Sequence, residues 1–98
     1  MTNQQQPIKV KFYPHHAPME TRLVKSLTDI QALVDGWVEL AHFEQTDATS
    51  ILVNEEGIPK NLPRNVHYPQ FLGNVVVAPK GWEHLPYGEE TNASTQND

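Results

Sequence analysis

Residues Val75 to Ala78 place the strongest constraint on the fold, because successive positions are apolar and mostly β-branched. Side chains of a strand alternate between the two faces of a sheet, so a continuous apolar run is typical of a strand buried on both sides. Gly73 precedes the run and Pro79 closes it, as residues that bound strands commonly do. The pattern predicts a central, two-sided strand.

The N-terminal part of the chain shows the other kind of strand pattern. Ile8, Val10 and Phe12 alternate with lysines and a tyrosine, which predicts a strand with one apolar and one polar face. The proline-bounded segment 14–18 interrupts this strand, because proline fixes φ and removes a backbone donor. Residues 19–25 are a second extended candidate.

One amphipathic helix is predicted over about residues 26–35. Ser26 is suited to cap its N-terminus, and Asp29 favours the positive end of the helix dipole. Gly36 is expected to end the helix in the left-handed conformation. The apolar positions at helical spacing are Leu27, Ile30, Leu33 and Val34.

Between the helix and the central strand, the sequence predicts a strand over 37–43, a polar link over 44–50 and a β-hairpin. The hairpin rises through 51–53, turns at 54–57 with Gly57 at positive φ, and returns at Ile58. Pro59 keeps the return strand short, since it cannot donate to a ladder. Residues 60–70 contain two prolines and two asparagines and are expected to form either an irregular loop or one broken helical turn.

These elements predict an α+β fold, with a small mixed or antiparallel sheet and one main amphipathic helix packed on it. The 98 residues allow a single domain, which we place at residues 7–87. Residues 1–6 and 88–98 hold few apolar side chains and are expected to be flexible tails.

The middle of the chain resembles a domain family of unknown function found in phages, plasmids and bacterial genomes. The resemblance covers about residues 20–80 and rests on five segments: SLTDIQALVDG (26–36), WVE (37–39), ILVNEEG (51–57), NLPRN (61–65) and FLGNVVV (71–77). It implies a small phage or mobile-element accessory protein and brings no catalytic residues. Small proteins of this kind often act by occupying a host protein or by sequestering a host nucleotide signal.

Composition excludes several classes of protein. The chain has 12 acidic and 7 basic residues and a net charge of −5, which opposes broad binding to nucleic acids or anionic membranes. It has no cysteine, and therefore no disulfide, thiolate nucleophile or cysteine-based zinc site. Its apolar runs are far shorter than the roughly 20 residues of a membrane span, and its N-terminus lacks the profile of a secretion signal. We expect a cytoplasmic protein.

The proline-rich loop carries the main candidate binding site. Arg64 offers a planar fork for phosphate or carboxylate, Asn61 and Asn65 can read a base or ribose edge, and Tyr68 or Trp82 can stack on a flat ring. Together they predict a site for an anionic, nucleotide-like ligand. The alternatives are that Arg64 pairs with a surface Glu, that Tyr68 belongs to the core, and that Trp82 covers a sheet edge.

A second candidate lies at the predicted turn, where Asn54, Glu55 and Glu56 are adjacent. Paired carboxylates can serve acid–base chemistry or bind a divalent cation, and Asn54 is the residue of this group that we assign to ligand binding. The alternative is that these residues are present for local reasons, since Asn at turns bonds its own backbone.

The histidines and the remaining motifs indicate neither a metal site nor an enzyme. The five histidines lack metal-ligand spacing, although His42 and His67 are far apart in sequence and could converge in the fold. The sequence lacks a phosphate-binding loop, a dinucleotide fingerprint and a nucleophile elbow. We therefore expect no catalysis and no cofactor.

Two functions from different classes remain open. The first is a homo-oligomeric, non-enzymatic protein that binds and sequesters a small anionic, nucleotide-like ligand, such as a host immune signal. The second is an acidic module that occupies or inhibits a host protein. Its acidic surface would be built from Asp29, Asp35, Glu39, Glu44 and Asp47, for which a solvated helix face is the alternative explanation.

Overall fold

A computed structural model describes residues 7–41 and 49–88 of the chain. The elements in this part of the chain are strands β1 (Ile8–Tyr13) and β2 (Glu20–Val24), helix α1 (Leu27–Val34), strands β3 (Val38–Leu40), β4 (Thr49–Asn54) and β5 (Val75–Pro79), and a single 3-10 turn at Trp82–His84. One antiparallel sheet and one helix agree with the α+β class expected from the sequence.

The five strands form a single sheet in the order β2-β1-β5-β4-β3, and every neighbouring pair is antiparallel. β5 is therefore the middle strand, which confirms the prediction from its continuous apolar run. Val75, Val76 and Ala78 are fully buried. The prediction of strands at the N-terminus is also confirmed, since β1 and β2 are paired from Ile8 opposite Val24 onward.

One face of the sheet shares a core with the helix. Ile30 and Val34 of α1 lie in one buried cluster with side chains of the sheet. Because residues paired across strands point to the same face, the contacts Phe12 to Val76 and Val76 to Leu52 extend this cluster across three strands. Each such side chain contributes about 1.5–3 kcal/mol when it is fully buried.

The opposite face is covered by the connection between β4 and β5, residues 55–74. Val53 and Val75 are buried on this face, and Tyr68 and Phe71 of the connection pack against them. A long irregular segment therefore serves as the second layer that a two-sided central strand requires.

The helix begins as predicted but ends differently. The backbone N–H of Asp29 donates to Ser26 Oγ at 3.2 Å, so Ser26 is the N-cap. At the other end the left-handed residue is Asp35, with φ 65° and ψ 36°, and not Gly36. Asp tolerates this conformation better than most residues. Gly36 is required for a different reason, because a Cβ there would lie 2.8 Å from Asn54 Nδ2.

Two asparagines, one at the end of β4 and one just before β5, satisfy the carbonyls that the end of the helix leaves unpaired. Asn54 Nδ2 donates to the carbonyl oxygens of Val34 and Asp35 at 2.9 and 3.1 Å. Asn74 Nδ2 donates to the carbonyl oxygen of Leu33 at 2.9 Å. The last carbonyls of a helix have no partner within the helix, so these amides replace water there and fix α1 to the sheet.

The predicted hairpin at residues 51–58 is wrong. β4 pairs with β5 and β3, and Ile58 does not form a return strand. Residues 55–61 instead make successive tight turns. The backbone N–H of Lys60 donates to the carbonyl oxygen of Glu56, and that of Asn61 donates to the carbonyl oxygen of Ile58. The positive φ predicted for Gly57 is taken by Asn61, at 54°.

Some predictions fall on other parts of the chain. The end of the strand expected over 37–43, most of the link 44–50, and the tails 1–6 and 89–98 lie outside the described residues. Within the described ranges, no helix is long and apolar enough to cross a membrane.

Replacing Gly36 by Ala tests the contact between the helix end and the sheet. The new Cβ would collide with Asn54 Nδ2 at 2.8 Å, and we expect a loss of about 1–3 kcal/mol of unfolding free energy, as for other overpacked sites. Urea denaturation of Gly36→Ala in the wild-type and the Asn54→Ala backgrounds measures this. The loss should be smaller in the second background, and an equal loss in both would show that the contact does not limit position 36.

Candidate ligand-binding groove

A groove of about 620 Å³ lies where β3 and the end of β4 meet the connection 55–74. We call it the Arg64 groove and define it by Glu39, Ala41, Glu55, Ile58, Arg64 and Phe71, which are among its lining residues. It opens on the face of the sheet opposite the helix, since Ala41, Val53 and Phe71 belong to the cluster on that face.

Most of the groove wall is apolar. β4 contributes Val53, and the connection contributes Ile58, Pro59 and Leu72. Ile58 is 81% exposed, which is unusual for an isoleucine and places an apolar surface at the rim. The exposed polar side chains at the groove are Arg64, Gln70, Glu39 and Glu55.

Arg64 has a fixed backbone although its side chain is exposed. The backbone of Arg64 bridges that of Leu72 in an antiparallel sense, and the next N–H, of Asn65, donates to the carbonyl oxygen of Phe71 at 3.0 Å. Arg64 Nη1 donates to the carbonyl oxygen of Pro69 at 2.8 Å. The residues described here include no carboxylate in an ion pair with Arg64. Since a guanidinium has five N–H donors, this bond orients it and leaves donors for a ligand.

Asn65 is the residue that holds this loop on the sheet. It is 0% exposed, and its Nδ2 donates to the carbonyl oxygens of Tyr13 and Gly73 at 3.0 and 2.9 Å. Its Oδ1 accepts from the N–H groups of His67 and Tyr68 at 2.8 and 3.0 Å. These bonds use the full hydrogen-bonding capacity of the amide.

The assignments of Asn54 and Asn65 to ligand binding therefore need correction. Asn65 has no capacity left for a ligand. Asn54 borders the groove but is only 4% exposed, its Nδ2 serves the helix end, and its Oδ1 accepts from the N–H of Glu56 at 2.6 Å. Both side chains satisfy backbone groups of the protein. The bond that Asn54 Oδ1 accepts from Glu56 is the local role that had been the alternative for Asn54.

Tyr68 does not line the groove and instead packs edge-on against Tyr13, with ring centroids 5.0 Å apart. It is half-buried against the cluster that includes Phe71. Burial raises the pKa of the Tyr68 phenol above its ordinary value of 10.0, and the neighbouring Tyr13 raises it further. Tyr68 therefore packs behind the groove wall, which agrees with the alternative that it belongs to the core.

The structure also separates Asn61 and Trp82 from Arg64. Asn61 occupies the left-handed position of an exposed turn and is not a lining residue. Trp82 packs against the cluster that contains Ile30 of the helix, on the other face of the sheet. Its Nε1 is buried without a hydrogen-bond partner in the described parts of the chain. Trp82 cannot stack on a ligand held by Arg64, because the sheet lies between them.

Several groove residues were not expected from the sequence. No sequence pattern around Glu39 indicates a binding site. Glu39 lines the groove because β3 pairs with β4. Phe71 and Ile58 are apolar, and apolar residues are normally interpreted as core or strand positions. Glu55 was considered only as one of a pair of acids at a turn, yet Glu55 lines the groove and Glu56 does not.

The histidines and the acidic residues form no further site among residues 7–41 and 49–88. No group of three or more metal-binding side chains is present there, and His67 Nε2 lies 2.6 Å from the carbonyl oxygen of Ala17. His42 lies outside the described residues, as do Glu44 and Asp47. Asp29 is at the start of the helix and Glu39 is on the other face of the sheet, so these two do not share a surface.

Comparison with known proteins identifies the family alone. The model of a family described as a domain of unknown function (DUF3846) matches residues 8–90 of the chain. No curated protein and no solved structure matches.

Replacing Asn65 by Ala tests its role in holding the loop. The substitution removes the side-chain partner of two carbonyls and two N–H groups, and we expect a loss of at least about 3 kcal/mol of unfolding free energy. Gln70→Ala, an exposed change on the same loop, should cost less than about 0.5 kcal/mol. Equal unfolding free energies for the two variants in urea denaturation would contradict this role.

The pH dependence of stability tests the packing of Tyr68. Because its pKa is raised in the folded state, its contribution to stability is complete below about pH 10, the unfolded value, and is lost as the pH rises toward the folded value. Unfolding free energy should therefore fall more steeply above pH 10 in the wild type than in Tyr68→Phe. Tyr87→Phe, at an exposed tyrosine, should follow the wild type, and coincident curves for all three proteins would contradict the burial effect.

Proposed function

This chain belongs to the DUF3846 family, a domain of unknown function, and we propose that it binds a small anionic, nucleotide-like ligand in the Arg64 groove. The observation that carries the proposal is the position of Arg64. Its guanidinium borders an apolar groove on a fixed backbone and is not neutralised by a carboxylate of the described residues.

An anionic group is the natural partner of this arginine. Two N–H donors of a guanidinium can bond two oxygens of a phosphate or a carboxylate at once. The bond to the Pro69 carbonyl already restricts the Arg64 side chain, so less of its conformational freedom is lost on binding. Exposed arginines without such support lose more side-chain entropy when they bind.

The apolar walls favour a ligand with a flat, weakly polar body. The volume of about 620 Å³ lies in the range of small-molecule sites, which are mostly apolar with a few placed polar groups. Ile58 and Phe71 supply surfaces against which a ring could pack. A nucleobase joined to a phosphate has this combination of features.

The two acidic residues at the groove narrow the kind of ligand that fits. Glu39 and Glu55 would repel a ligand that is negative throughout, but they accept hydrogen bonds. They therefore favour a ligand whose end remote from the phosphate carries N–H or O–H donors, as nucleobase amino groups and ribose hydroxyls do. A plain polyphosphate fits this charge pattern poorly.

The biological role we propose follows from the resemblance to domains found in phages and other mobile elements. A protein of this kind would sequester a host immune signal of nucleotide type in the host cytoplasm, without catalysing a reaction on it. We do not advance the alternative of an acidic protein-binding module, because Asp29 and Glu39 lie on different faces of the molecule.

Thermal unfolding with a panel of cyclic and linear nucleotides tests this function. A ligand at about 100 times its dissociation constant adds about 2.7 kcal/mol of stability, which corresponds to a rise in Tm of about 10 °C for a domain of this size. Arg64→Ala should weaken binding of the active nucleotide by about 10- to 100-fold, since a charge-assisted hydrogen bond is lost.

Lys60→Ala is the matched control, because Lys60 is a cation of the same loop that does not line the groove. It should leave binding unchanged, and Arg64→Lys should restore only part of it, since Lys lacks the planar fork. If no nucleotide raises the Tm, or if Arg64→Ala and Lys60→Ala bind equally well, the proposed function is wrong.

A further inference from the structure

β2 is an edge strand that leaves one side of its backbone without a strand partner in the described part of the chain. Glu20, Thr21, Arg22 and Leu23 are all exposed. An exposed edge presents a row of N–H and C=O groups that can pair with another strand. The side chains on this edge decide which strand fits it.

The alternation of side chains on β2 is self-complementary. If two copies of β2 are set antiparallel and centred on Thr21, Glu20 of each copy stands opposite Arg22 of the other. In the same register, Met19 of each copy stands opposite Leu23 of the other. We propose that β2 pairs with β2 of a second copy of this chain in this register, so that two five-stranded sheets become one continuous sheet.

Charge selects this register over its neighbours. Residues directly opposite in an antiparallel pair must both point their backbone groups toward the partner or both away from it. The two strands must therefore be centred on a residue that faces its own copy, and the neighbouring registers are centred one residue earlier or later. A pair centred on Glu20 sets two glutamates against each other, and one centred on Arg22 sets two arginines against each other. Like charges directly opposite destabilise a sheet, whereas opposite charges stabilise it.

The charged pair is already aligned within one chain. Arg22 Nε lies 2.8 Å from Glu20 Oε1, and the guanidinium lies 5.2 Å from the centre of the Phe12 ring. Both side chains thus stand on the helix side of the sheet, next to the edge. A second copy would extend this pair into a two-by-two array of four alternating charges across the boundary.

The other face of the edge supplies the apolar contact. Met19 is 42% exposed and Leu23 is 64% exposed, which is high for side chains of this kind. Opposite positions in an antiparallel pair have Cβ atoms about 5 Å apart, so Met19 and Leu23 would touch across the boundary. Pro18 precedes Met19 and limits the pairing at that end.

This interface is independent of the Arg64 groove. The groove borders β3 and the end of β4, and β1 and β5 lie between β4 and β2 in the sheet. Pairing through β2 therefore leaves both grooves open, and the dimer can form whether or not the groove binds a nucleotide.

Charge reversal provides the test, with sedimentation equilibrium of the full chain as the measurement. The wild type should be a dimer. Arg22→Glu and Glu20→Arg should each raise the dimer dissociation constant by at least about tenfold, since both charged pairs become repulsive. An equal mixture of the two variants should form a heterodimer, because each Glu then faces an Arg, and the double swap in one chain should dimerise as the wild type does.

Lys60→Glu reverses a charge far from β2 and should leave the dimer intact. Thermal unfolding of each variant separates loss of pairing from loss of folding, and recovery in the mixture excludes misfolding of either variant. A monomeric wild type would overturn the proposal. So would a wild-type dimer that tolerates both reversals, or two weakened variants that do not recover when mixed.

Discussion

The structure depends on asparagine side chains that satisfy buried backbone groups. A carbonyl or an N–H that is buried without a partner costs about 1–3 kcal/mol, a large fraction of the stability of a small domain. Asn54 and Asn74 remove this cost at the end of the helix, and Asn65 removes it beneath the long connection. Without them, neither the helix end nor the connection could stay on the sheet away from water.

This arrangement explains how the described part of the chain, with one short helix, encloses a central strand on both faces. The helix contributes to the core on one face, and the irregular segment 55–74 takes the place of a second helix on the other. An irregular segment cannot pair its own backbone as a helix does, so it needs side chains such as Asn65 for that purpose. The same anchoring gives Arg64 a fixed backbone, and a groove bordered by that arginine follows from the way the second face is covered.

Sequence reasoning singled out Arg64 and grouped it with residues that the structure places away from the groove. A cation in a proline-rich loop is a local feature, and its availability to solvent can be inferred locally. The roles of Asn54 and Asn65 are local only in part. Each Oδ1 accepts from an N–H two residues further on, but the Nδ2 groups donate to carbonyls 20 and 52 residues away, at Val34 and Tyr13. Trp82 was grouped with Arg64 on chemistry alone, and the sheet places the two on opposite faces.

The sequence by itself determined the middle strand, the first strand and the start of the helix. The apolar run at Val75 specified the middle strand, the alternation from Ile8 specified β1, and Ser26 specified the start of the helix, because periodicity and capping act within a few residues. Tertiary structure alone decided that β4 pairs with β5 instead of returning at Ile58, that Asp35 rather than Gly36 turns left-handed, and that Glu39 reaches the groove. These outcomes depend on hydrogen bonds and packing between residues far apart in the chain, and no local pattern contains that information.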